Sequence, residues 1–162
     1  MSTTIERSPL PSRHAVRSLI GDLIGREIDL QDGSPVPART TNLVAVYVTD
    51  RLATSAVVVV GLEGAARLGG ALGMVPRAGV EDAIGARQLS PLLRDNCYEV
   101  MNVLATAFNV PNAPHVRLYE LYGPDAIVPG DVAGLVGLAG SRMDVTLRVA
   151  GYGDVAMSIV VR

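Results

Sequence analysis

The sequence contains no lysine: all 14 basic residues are arginine, set against 16 acidic residues for a formal net charge of −2. Without lysine there is no Walker A phosphate loop. The arginines are scattered, and no basic block of the kind that tracks a phosphate backbone is present, so nucleic acid is not an expected partner. A single cysteine, Cys97, excludes an intramolecular disulfide and favours a reducing compartment. Aromatic residues make up only 4% of the chain, so Tyr119 and Tyr122 read as strand packing and not as a stacking platform. Apolar runs such as AVVVV (56–60) are strand-sized and far short of the roughly 18 residues that span a bilayer. The leading MSTTIERSPLPSR has no apolar h-region of a signal peptide. A cytoplasmic protein without membrane contact is the expectation.

What is present is apolar material in good supply, 49% of 162 residues, enough for one ordinary core. Residues 1–11 are polar, carry Pro9 and Pro11, and are expected to form a flexible terminus ahead of a single domain over 12–162. Val16, Leu19, Ile20, Leu23 and Ile24 recur at helical spacing after Ser12, a natural N-cap. REIDLQ (26–31) suggests a short strand. LVAVYV (43–48) and ATSAVVVVGL (53–62) are β-rich and close enough to form a hairpin. Residues 62–74 read as a helix weakened by Gly69 and Gly70. Residues 75–90 allow a helical turn at VEDAIG, and Ser90-Pro91 is a strong helix start. HVRLYELY (115–122) reads as a strand and 124–140 as an apolar loop. RMDVTLRV (142–149) and DVAMSIVV (154–161) alternate cleanly around Gly151 and Gly153, which predicts a C-terminal hairpin. The fold class is α+β: an antiparallel-rich sheet with amphipathic helices packed on one face and a polar opposite face.

Several motifs fail on context. GYGDVA (151–156) matches a dinucleotide-binding pattern but precedes a strand where that pattern needs a helix, so it reads as a hairpin turn. No G-x-S-x-G elbow is present. His14, His115 and Cys97 lack metal-ligand spacing.

The run from Leu92 to Asn109 is the clearest element. At 100° per residue, Leu93, Cys97, Val100, Met101, Leu104, Ala105 and Phe108 form a core stripe. Asp95, Glu99, Asn102 and Thr106 lie opposite. Periodicity makes Cys97 a buried structural thiol and the acidic-amide line an outward face; by itself it gives no reaction.

The spacing continues past the helix. Asp95, Glu99, Asn102 and Pro124 spell D-x3-E-x2-N-x21-P, which resembles the signature of the CheC/CheX-type chemotaxis phosphatases, FliY relatives included. The single motif, with no E-x-x-N in RHAVRSLIGDLIGRE, resembles CheX organisation, which implies a homodimer. The resemblance implies a substrate that is itself a protein: the phosphoaspartate of a CheY-like receiver domain. By position, Asn102 would orient the attacking water and Glu99 would engage the receiver's active-site lysine. Asp95 and Pro124 would support them, Asp95 locally near the helix start and Pro124 by shaping the adjacent loop. The chain would need no cofactor of its own, because the Mg²⁺ belongs to the receiver. After Asn102 the sequence runs NVLATAFN, where family members carry a glycine. This motivates the alternative of a non-catalytic receiver-binding or scaffold domain. A third reading is a small-ligand regulator built on 124–140.

Overall fold

The computed structural model describes residues 6–162. Its elements run α1 (Arg13–Ile24), β1 (Ile28–Asp32), β2 (Asn42–Thr49), β3 (Thr54–Gly61), α2 (Leu62–Leu72), α3 (Arg77–Ala86), α4 (Pro91–Leu104), β4 (Val116–Tyr122), α5 (Gly130–Val136), β5 (Arg142–Val149) and β6 (Gly153–Val161). The strands form one antiparallel sheet in the order β1-β5-β6-β3-β2-β4. The fold is α+β, as the sequence patterns imply.

Local chemistry accounts for most boundaries. Ser12 caps α1 by accepting from the Ala15 N–H at 3.0 Å, and Gly25 ends it in the left-handed region at φ +73°. The β5–β6 turn needs positive φ at Gly151 (+84°) and Gly153 (+113°), which is why GYGD makes a hairpin. The expected flexible terminus falls partly on residues 1–5, which lie outside the described residues. Within the described part, Ser8 is buried with its Oγ 2.7 Å from Ser55 Oγ, and Leu10 packs against the core.

One face of the sheet carries α1, α2 and α4 over a core that includes Leu43, Tyr47, Val58, Val145 and Met157. The glycines that lower the helix propensity of α2 are what let it pack. A Cβ at Gly69 would run into the Leu93 carbonyl of α4, and one at Gly70 into Val80 of α3. Tertiary proximity overrides propensity here.

The other face is polar at its flanks, where Arg117, Glu120, Arg148 and Asp154 are exposed, but its centre differs from the polar surface read from alternation. Val44, Val46, Val48, Val57, Val59 and Val160 are buried there beneath Val132, Leu135 and Val136 of α5, together with Val36. Thus 124–140 is not merely a loop: it contains the short helix that covers this valine patch. The runs LVAVYV and AVVVV fail to alternate because both of their faces are buried. Residues 77–86 likewise form a full helix, longer than the single turn expected from VEDAIG.

A polar latch holds this second layer. Arg142 grips Asp144 through Nε and Nη2, both at 2.9 Å, and donates from Nη1 to the Val136 and Leu138 carbonyls at the end of α5. Ser158 Oγ donates to Asp144 at 2.6 Å and accepts from the Val36 N–H at 2.8 Å. The guanidinium holds the Asp144 carboxyl below its usual range, and the carboxylate raises the arginine in turn.

Candidate functional site

α4 is fixed at both ends and along its buried side. Ser90 Oγ accepts from the Leu93 N–H at 3.2 Å, and Pro91 occupies the first turn, where its missing N–H costs nothing. Leu93, Cys97, Val100, Met101 and Leu104 are buried, as the phasing requires. The Asn96 amide donates to the Gly69 carbonyl of α2 at 2.9 Å. Tyr47 of β2 donates its hydroxyl to the Met101 carbonyl at 2.6 Å and stacks at a tilt on Phe108, ring centroids 5.1 Å apart. Burial raises the Tyr47 phenol well above its ordinary range, so it remains a donor. Burial also pushes the Cys97 thiol up to about 12. Cys97 is therefore a core side chain with no thiolate to offer.

With the helix held this way, Asp95, Glu99 and Asn102 are all exposed on its outer face. Glu99 and Asn102 sit about 4.5 Å apart along the axis, and Asp95 about 6 Å before Glu99. Together they give an uncovered strip with carboxylate acceptors at one end and a donor-acceptor amide at the other. The α-helix ends at Leu104, and Ala105–Ala107 tightens into a 3₁₀ turn before the chain leaves the strip.

The same face exposes two large apolar side chains that motif spacing does not single out, Leu92 (58% exposed) and Tyr98 (37%). The signal was available: both fall off the core stripe in the same 100° phasing that isolates Glu99.

Pro124 does not stand beside Asn102. It lies after β4, partly buried, next to the start of α4, where it lines a cleft of about 720 Å³ with Ser90, Pro91 and Arg94. Asp95 belongs to this end of the helix and Asn102 to the other. The structure thus brings three motif residues onto one strip and sets the fourth at its N-terminal end.

Among the described residues, no group of three His, Cys, Asp or Glu side chains is arranged to hold a metal ion. No described helix is long and apolar enough to cross a membrane.

No family model matches the chain, and no curated protein sequence matches it. Solved structures do. The FliM middle domain from H. pylori superposes with a TM-score of 0.54 at 11% identity, covering 91% of this chain and 83% of that one. Thermotoga maritima FliY gives 0.52 at 10% identity, covering 91% and 82%. The CheX–CheY–BeF3–Mg²⁺ complex from Borrelia burgdorferi gives 0.50 at 10% identity, covering 91% and 93%. At such identities the likeness establishes a shared fold.

Proposed function

We propose that this chain is a phosphatase of the CheC/CheX type, acting on the phosphoaspartate of a CheY-like receiver domain in chemotaxis-type signalling. One observation carries the reading: Glu99 and Asn102 lie on adjacent turns of a rigidly held helix, outward and uncovered, in a fold shared with CheX. A covered helix face would have shifted weight to the third alternative, a small-ligand regulator, and among the described residues nothing buries either side chain.

The chemistry suits so small a site. An acyl phosphate is already reactive, and placing a water in line with the phosphorus supplies much of what hydrolysis needs. The Asn102 amide can accept from that water and donate to a phosphoryl oxygen, holding it in line. Glu99 engages the receiver's active-site lysine as an ion pair and fixes the docked register. Asp95 keeps a local, orienting role one turn before Glu99; it stands past the first turn of α4, the stretch in which the helix dipole would favour a carboxylate. The Mg²⁺ that neutralises the phosphoryl group is the receiver's. Tyr98 and Leu92 supply apolar contact to the docked surface, the role in which exposed tyrosines most often contribute affinity. The single motif per chain goes with a homodimer carrying two such strips.

The test is phosphate release from a receiver of the same genome, phosphorylated with acetyl phosphate and Mg²⁺. Wild type shortens the phosphoreceiver lifetime and Asn102→Ala does not; equal lifetimes with the two proteins sink the catalytic reading. A second reading, a receiver-binding module without hydrolysis, is favoured by Ala105 and Thr106 at the tightened turn after Asn102. Binding without any change of lifetime selects it. A shared fold does not decide between the two.

A further inference from the structure

Arg94 stands one residue before Asp95 and belongs to no motif, yet it is the side chain that joins the two ends of the motif. It is partly buried on α4. Its Nε–H donates to the Gly123 carbonyl at 3.3 Å and its Nη2–H to the Leu121 carbonyl at 2.5 Å. The segment it grips is tied from the opposite side as well. The Asp125 N–H donates to the Thr40 carbonyl at 2.6 Å. Gly123, at φ +93°, passes so close to the Asn42 carbonyl that no Cβ fits. Gly123–Asp125 is therefore clamped between α4 and the chain entering β2, and Pro124 is presented at the first turns of α4.

Asn102 lies eight residues beyond Arg94, about 12 Å along the helix. From that distance Pro124 cannot touch atoms reacting at Asn102, so the motif has a chemical end and a second end with a different task. We propose that Arg94 is a positioning residue for recognition of the receiver. It builds Pro124 and Asp125 into one rim with Ser90 and Pro91 at the start of α4, and this rim sets how tightly the receiver docks while the Glu99–Asn102 end sets how fast the phosphoryl group is lost. The inference rests on the phosphatase reading above. Arginine is the residue for the task because its planar fork holds two carbonyls in fixed geometry, which the point charge of a lysine does not.

Steady-state phosphate release from the acetyl-phosphate-loaded receiver tests this, with the melting temperature of each variant measured alongside. Arg94→Ala is expected to raise KM about tenfold with kcat within about twofold of wild type, and Arg94→Lys to recover only part of the loss. Pro124→Ala is expected to raise KM as well, and adding it to Arg94→Ala to raise KM no further, since both act through one rim. An unchanged KM in Arg94→Ala, or a kcat that falls in step with the melting temperature, overturns the proposal and leaves Arg94 a purely structural clamp. Wild type inactive towards the receiver defeats the phosphatase reading instead. Binding of the receiver loaded with BeF3⁻ and Mg²⁺ then reads the rim directly: about tenfold weaker binding by Arg94→Ala supports it, and equal binding overturns it.

Discussion

Glu99 and Asn102 carry the account at the scale of single residues, and both are exposed side chains whose removal leaves the core untouched. Their substitution to alanine is expected to change stability by less than about 0.5 kcal/mol in urea unfolding. Loss of the Asn102 amide is expected to lower kcat by on the order of 10²-fold, the usual scale for losing one group that positions or stabilises the reacting centre. Cys97, two residues before Glu99, behaves oppositely. It is fully buried with its thiol pushed up to about 12, so it is expected to be silent to a thiol reagent in the native protein and to react on unfolding. Asp144 gives the pH dependence. Its folded-state pKa is lowered by Arg142, so its contribution is present above the ordinary carboxylate range and is lost as pH falls through the depressed value. Asp144→Asn is expected to cost roughly 2 to 4 kcal/mol in urea unfolding at pH 7, because it leaves Arg142 without its ion-pair partner. That gap from wild type is expected to narrow as the pH falls below the ordinary carboxylate range of about 4 and wild-type Asp144 takes up its proton. A gap independent of pH contradicts the latch.

Individual elements show which parts of the fold a sequence reveals. α1 and α4 were legible because each announces its start with a serine cap and keeps a strict core stripe, and the two hairpins because their strands sit at tight turns. The outward placement of Asp95, Glu99 and Asn102 followed from phasing alone. Three things were not legible. α2 contains two adjacent glycines whose value lies in what crosses them, the backbone of α4 and Val80 of α3, and one-dimensional propensity cannot register a crossing. α5 is seven residues long and flanked by proline and glycine, too short to show a period. Arg142 and Asp144, two apart on one strand, read as ordinary alternating polar positions until α5 and Ser158 are placed around them. The α2–α4 crossing yields a test. Gly→Ala in an open helix stabilises by about 1 kcal/mol, but Gly69→Ala is expected to destabilise by about 1–3 kcal/mol in urea unfolding, because the added methyl meets backbone that cannot give way.

In the molecule as a whole, a sheet is covered on one face by α1, α2 and α4 and on the other only over the valine patch of β2, β3 and β6, and one helix of the thicker layer shows an uncovered polar strip. The sheet and its helices hold α4 still; in the proposed function the strip is what a docking receiver meets. Burial of β2 and β3 on both sides departs from the polar face expected of the sheet, although their unbroken valine runs carried the signal. The position of Pro124 at the far end of α4 from Asn102 was not foreshadowed, because a spacing of twenty-one residues says nothing of where the chain returns. FliM, FliY and CheX share this architecture, so the proposed activity rests on the strip and not on the architecture. The most direct measurement is the rate of phosphate release at saturating phosphoreceiver, which isolates chemistry from docking. The account expects wild type to accelerate release catalytically and Asn102→Ala to lose that acceleration by on the order of 10²-fold while still binding the BeF3⁻-loaded receiver. Equal saturated rates for the two proteins contradict it.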